Sequence, residues 1–152
     1  MKATELINYF EGEWSFTREI NTDKDKLFAM ATGNASFTKD NKQNSLFYCE
    51  DGELDLKQSN TKNLFYKNYI FCFYPDCIKV YLSGGVNADQ LYQEYRYTEN
   101  KIIPIAEHAC KRDFYSSEYQ ITDQNQFKQV TEIAGPQKDF LIFTSFNRIF
   151  PG

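Results

Sequence analysis

Three groups of side chains in this chain have the types and spacing to do chemistry. The densest is the string His108-Ala109-Cys110-Lys111-Arg112-Asp113-Phe114-Tyr115, which carries an imidazole, a thiol, a carboxyl and a phenol. Tyr48 and Glu50 form a second group, two residues apart. Arg18 shares one face of an alternating run with Trp14 and Phe16. Imidazole, carboxyl and phenol exchange or share protons, and a guanidinium stays charged and seeks anions. A Cys–His nucleophilic pair is poorly served here. Residues two apart on a strand are separated by about 7 Å at the backbone, and a thiol side chain is short. Neither a glycine-rich phosphate loop nor a nucleophile elbow is visible. No catalytic residue is therefore assigned, and the balance of the sequence is against an enzyme. The reading is a ligand-binding set of Arg18, Tyr48, Glu50, His108, Cys110, Asp113 and Tyr115.

The elements that must position these residues are strands. Thr4 is the expected N-cap of a short helix over Glu5 to Phe10, whose Leu6, Ile7 and Phe10 make one apolar face. Gly12 ends it. From Glu13 to Ile20 the chain alternates with period two, placing Trp14, Phe16, Arg18 and Ile20 on one face. Residues 21–26 read as a loop, and Leu27 to Thr38 as a strand weakened or bulged at Gly33. Leu46 to Leu56 is interrupted by Asp51-Gly52. That pair is either a two-residue hairpin or a bulge in one long curved strand, with the bulge preferred. Leu64 to Tyr74 and Ile78 to Leu82 form a hairpin around Pro75-Asp76, and residues 83–85 a loop. Gln90 to Thr98, Ile102 to Cys110 and Asp113 to Ile121 are strands, and Phe127 to Ala134 with Phe140 to Ile149 make a terminal hairpin. A bulge at Lys111-Arg112 would bring His108, Cys110, Asp113 and Tyr115 onto one face. Eight to ten short strands after one short helix predict an all-β, antiparallel barrel spanning the 152 residues as one domain.

Composition narrows the function classes. The formal net charge is −4, and Lys and Arg are scattered among acids, which argues against nucleic acid as a partner. No apolar stretch is long enough to span a bilayer, and the first residues lack the pattern of a secretory signal, so the expected location is cytoplasmic. The four cysteines form no C-x-x-C pair, and His108 is the one histidine, so no metal site is expected. Cys72 and Cys77 flank a turn, but reduced thiols fit the expected compartment better than a disulfide. No cofactor is called.

Gly12-Glu13-Trp14 near the start and Arg148 on the last apolar run resemble the structural signature of the calycins, the superfamily of lipocalins and fatty-acid-binding proteins. That resemblance implies an antiparallel barrel closed at one end by Arg148 packed across the Trp14 indole. Five segments also resemble a calycin-like family, domain of unknown function six-three-one-four. They are Gly12-x-Trp14-x-x-x-Arg18, Tyr48-x-Glu50-x-Gly52, His108-x-Cys110-x-x-Asp113-x-Tyr115, Gly135-Pro136-x-Lys138-Asp139 and the closing Arg148. This second resemblance implies the fold and no activity.

The sequence thus points to a small-molecule-binding barrel. Its ligand would be partly apolar, with an anionic or hydrogen-bonding head near Arg18, His108 and Tyr115. Arg18 is expected to be buried and paired with Glu50 or Asp113. Three other readings stay open: a filled-barrel scaffold or interaction module, a cofactor-independent isomerase or lyase, and a haem- or bilin-handling calycin. Oligomeric state is not legible.

Overall fold

The computed structural model describes residues 2–23, 26–42, 44–84, 89–105, 108–110, 113–135 and 139–150, with 108–110 and 113–114 described as backbone alone. Among these residues it has one helix, α1 (Ala3–Phe10), and strands β1 (Gly12–Thr22), β2 (Lys26–Lys39), β3 (Ser45–Leu56), β4 (Thr61–Phe73), β5 (Ile78–Leu82), β6 (Leu91–Thr98), β7 (Lys101–Pro104), β8 (His108–Cys110), β9 (Asp113–Asp123), β10 (Gln126–Ala134) and β11 (Asp139–Arg148). No described helix is long and apolar enough to cross a membrane.

The strands follow one another antiparallel from β1 to β7, β7 pairs with β9, and β9–β10–β11–β1 closes the ring. This is a closed antiparallel barrel of ten strands. Closure removes the exposed sheet edges that an open sheet of this size would carry. β8 stands outside the ring and pairs with the start of β9. One local edge remains. β5 pairs only with Tyr69 to Phe73 of β4, so among the described residues Thr61 to Asn68 are laddered on the β3 side alone. Leu64 there is 86% exposed.

The helix seals one end of the barrel. Leu6, Ile7 and Phe10 recur at helical spacing and are all buried. They meet Trp14, Phe37, Phe73 and Phe127 in a cluster of aromatic rings. The helix starts earlier than the Thr4 cap would place it. Lys2 is the N-cap residue, and its backbone N–H donates to Glu5 Oε1 at 3.1 Å.

Three other expectations are corrected, and a fourth falls outside the described residues. Asp51-Gly52 is neither a hairpin nor a bulge, because β3 runs through it with unbroken register to both β2 and β4. The glycines there serve packing. Gly33 on β2 lies opposite Gly52, and the Phe16 ring covers both. A Cβ on Gly33 would lie 2.1 Å from the Asp51 carbonyl oxygen. Residues 21–26 are a tighter connection than the expected loop, since β1 continues to Thr22 and β2 begins at Lys26; residues 24–25 lie outside the described residues. The expected strand from Ile102 to Cys110 is two strands, β7 and β8, on the same edge of β9. Finally, β8 and β9 pair antiparallel, His108 opposite Tyr115 and Cys110 opposite Asp113; the bulge expected at Lys111-Arg112 lies outside the described residues.

Candidate functional site

Two layers lie inside the barrel, and the first is the sealed end. Trp14 is 0% exposed, and its indole N–H donates to the Phe10 carbonyl at 2.9 Å. Arg148 is its register partner on β11, with the guanidinium carbon 4.2 Å from the indole centroid. The Arg148 N–H groups donate to the carbonyls of Tyr9 at 2.7 Å and Gln124 at 2.9 Å. A delocalised, flat cation can stack and donate at once, which a lysine cannot do. Gly12, at φ 131°, turns the chain from helix to strand beneath this guanidinium. The Tyr9 hydroxyl donates to the Asp123 and Gln126 carbonyls, and burial pushes its pKa up to about 12. These contacts hold the end shut and leave no room for a ligand.

The second layer is polar and only partly filled. Arg18 and Glu50 are both buried, at 8% and 4% exposure, and form a forked pair. Arg18 donates from Nη1 to Glu50 Oε2 at 2.7 Å and from Nη2 to Oε1 at 3.0 Å. Its Nε donates to Thr144 Oγ1 at 2.9 Å, and the guanidinium lies over the Phe16 ring. Tyr48 donates its hydroxyl to Glu50 Oε1. The partners stand on β1 and β3, with β2 between them. What lets them meet is the inner face of β2, where Ala29, Ala31, Gly33 and Ala35 are all small. A large side chain on that strand would block the reach.

The electrostatics follow from burial and pairing. Burial alone would raise the Glu50 pKa. The Arg18 hydrogen bonds and charge, with the Tyr48 donation, outweigh it and hold the carboxyl below its ordinary 4.5. Burial alone would weaken Arg18 as a cation, and Glu50 reverses that. Burial also pushes the phenols of Tyr48, Tyr69, Tyr95 and Tyr119 up, so each is a neutral hydrogen-bond donor.

Beside this pair lies a cavity of about 350 Å³. One wall is a ladder of phenol rings: Tyr48 and Tyr69 lie 6.1 Å apart and 22° from parallel, Tyr69 and Tyr92 5.3 Å and 24°. The facing wall is hydroxyl and amide, from Ser117, Tyr119, Gln129 and Thr131. Gln129 Nε2 donates to Ser117 Oγ at 3.3 Å and Tyr119 Oη at 3.2 Å, and the Ser117 and Thr131 hydroxyls are 2.7 Å apart. Ile20, Leu54, Phe65, Ile133 and Ile142 supply apolar lining.

Of the expected ligand-binding set, Arg18, Tyr48, Glu50 and Tyr115 line this cavity. His108, Cys110 and Asp113 occupy register positions on the same side of the β8–β9 ladder as Tyr115, because directly opposed residues share a face. Their side chains lie outside the described residues. So do residues 136 and 138 of the Gly135-Pro136-x-Lys138 segment. Lys67, Tyr69, Tyr92, Tyr119, Ser117, Gln129 and Thr144 also line the cavity and were missed. Among the described residues no group of His, Cys, Asp and Glu has metal-holding geometry.

Fold and site together define a helix-capped, closed antiparallel barrel with one sealed end and an internal polar cavity. The chain belongs to the Family of unknown function (DUF6314), whose model matches residues 10–148. No curated protein matches the sequence. Among solved structures it is similar to the S-type phycobiliprotein lyase CPES from Guillardia theta, at 11% identity and TM-score 0.74 over 100% of this chain and 95% of that one. It is similar to a protein of unknown function of the DUF3598 family from Nostoc punctiforme, at 6% identity and TM-score 0.55. That alignment covers 94% of this chain and 49% of the other. A redesigned beta barrel, mFAP1, bound to DFHBI, aligns at 8% identity and TM-score 0.49, over 93% of this chain and 97% of its own. At such identities these are likenesses of fold.

Proposed function

We propose that this barrel is a small-molecule-binding protein whose ligand, partly apolar and carrying a polar head, occupies the cavity beside the Arg18–Glu50 pair. The observation that carries this reading is that a closed barrel with an aromatic-packed end keeps about 350 Å³ of space in its middle. Volumes of this order, apolar walls and a few convergent polar groups are what small-molecule sites use. The cavity speaks for this reading over a filled-barrel scaffold, which needs a packed interior. Hydrogen-bonding capacity along Ser117, Gln129 and Thr131 supports recognition of a polar substituent.

A second reading, handling of a linear tetrapyrrole, draws on the fold shared with the Guillardia theta lyase. Native mass spectrometry of protein purified from its own host tests both. A non-covalent adduct that is lost on denaturation supports the binding reading, and visible absorbance of the released molecule supports the pigment reading. The bare chain mass, with no adduct under conditions that preserve the fold, contradicts both.

A further inference from the structure

The cavity contains a cation that the Arg18–Glu50 pair does not use. Lys67 occupies the inward-facing phase of β4, with Phe65, Tyr69, Phe71 and Phe73, and it lines the cavity. Its register partner on β3 is Glu50. Glu50 is already committed, however: one oxygen accepts from Arg18 Nη1, the other from Arg18 Nη2 and Tyr48. Among the described residues the Lys67 ammonium has neither a hydrogen-bond nor a salt-bridge partner. Lys67 lines the cavity but is itself exposed by surface area; loss of part of its hydration lowers its pKa, the Glu50 charge opposes that shift, and Arg18 adds to it. An ammonium placed this way gains from any anion brought within reach.

We propose that Lys67 is the anion-binding residue of the cavity, and that the ligand is a flat aromatic or conjugated monocarboxylate whose carboxylate pairs with Lys67 while its body lies against the Tyr48–Tyr69–Tyr92 wall. This rests on the cavity being a ligand site. The charge count sets the single carboxylate. Arg18 and Glu50 cancel, and Lys67 leaves one positive charge among the described lining residues. The ring geometry sets the flat body, since the near-parallel phenols of Tyr48 on β3, Tyr69 on β4 and Tyr92 on β6 present a face on which a planar group can lie offset. The expected anion site therefore moves from Arg18, whose fork is occupied, to the next charged position across the sheet.

The test uses 4-biphenylcarboxylate and its neutral methyl ester, titrated at pH 7 by calorimetry into the parent, Lys67→Met and Lys67→Arg proteins. The parent should bind the acid at least about tenfold more tightly than the ester, a factor worth about 1.4 kcal/mol. Lys67→Met should bring the acid down to the level of the ester in the same variant, so that the preference is lost. Lys67→Arg should restore the preference. If Lys67→Met keeps the preference for acid, or if the parent binds ester and acid alike, the Lys67 assignment is overturned and the cavity reading stands. If the parent binds neither probe, the cavity reading falls and the assignment falls with it. Thermal melts of the variants confirm that each is folded.

Discussion

The two layers inside this barrel handle buried polarity in different ways. At the sealed end, side-chain donors are matched to backbone carbonyls. Trp14 serves Phe10, Tyr9 serves Asp123 and Gln126, and Arg148 serves Tyr9 and Gln124. In the cavity layer, side chains answer one another. Arg18 serves Glu50 and Thr144, Tyr48 serves Glu50, and Gln129 serves Ser117 and Tyr119. Backbone carbonyls are fixed by the strand ladder, so the first pattern locks a structure. A side-chain network can be re-partnered, so the second pattern can admit a guest. The difference separates the part of the molecule that maintains the barrel from the part that uses it.

The sharpest break in this comparison is Trp14→Ala. It removes a fully buried indole and the surface on which Arg148 lies, and should cost about 3–5 kcal/mol of unfolding free energy. Denaturant titration measures it. A cost near zero would show that the end is not the fold's clamp.

Breaking the ion pair comes next. Glu50→Leu alone strands a buried guanidinium and should cost about 3 kcal/mol. The double variant Arg18→Met/Glu50→Leu should recover most of that loss, because the desolvation penalty disappears together with the charges. Equal stability of the single and double variants would contradict a coupled pair. Acid gives an independent check with a definite sign. The folded Glu50 carboxyl lies below its ordinary 4.5, so its contribution is complete above that pH and is lost as the pH falls through the depressed value. The stability gap between the parent and Arg18→Met should therefore narrow on acidification. A gap that widens contradicts the assignment.

Gly33→Ala should cost about 1–3 kcal/mol, since its Cβ would meet the Asp51 carbonyl and the Phe16 ring inside a paired ladder. The smallest effect belongs to Lys67→Met. Removing an exposed ammonium that has no partner among the described residues should change stability by less than about 0.5 kcal/mol while removing carboxylate preference. A large loss of stability there would make Lys67 part of the framework and blur the line between the two layers.

Much of the barrel was legible because β1 alternates cleanly. Trp14, Phe16 and Arg18 fall on one phase, and all three are buried. The Arg18–Glu50 pair was legible in kind, since a guanidinium on an inward face requires an anion. The small residues Ala29, Ala31, Gly33 and Ala35 were the available signal for how the pair reaches across β2. Read as a weak strand, that run conceals its meaning, which is space. Lys67 was not legible. Leu64, Phe65, Tyr66, Tyr69, Ile70 and Phe71 are apolar or aromatic on both phases of β4, so the sequence carries no parity there, and only the ladder with β3 decides which side faces in. Asp51-Gly52 misled for a related reason. Asp-Gly is a strong turn signal, yet here the glycine answers the Phe16 ring and not a turn. The β8–β9 register puts positions 108, 110, 113 and 115 on one side of the ladder, the placement the expected bulge was invoked to give.

If the middle of the barrel is a chamber for a ligand while its helix-capped end is solid, a crystal structure of the protein isolated from its own host should show it. Continuous non-protein density is expected between the Tyr48–Tyr69–Tyr92 wall and the Ser117–Gln129 wall, with Trp14 and Arg148 stacked as they are here. A chamber closed by rotated side chains, with Lys67 folded onto Glu50 and no space left between the walls, would contradict it.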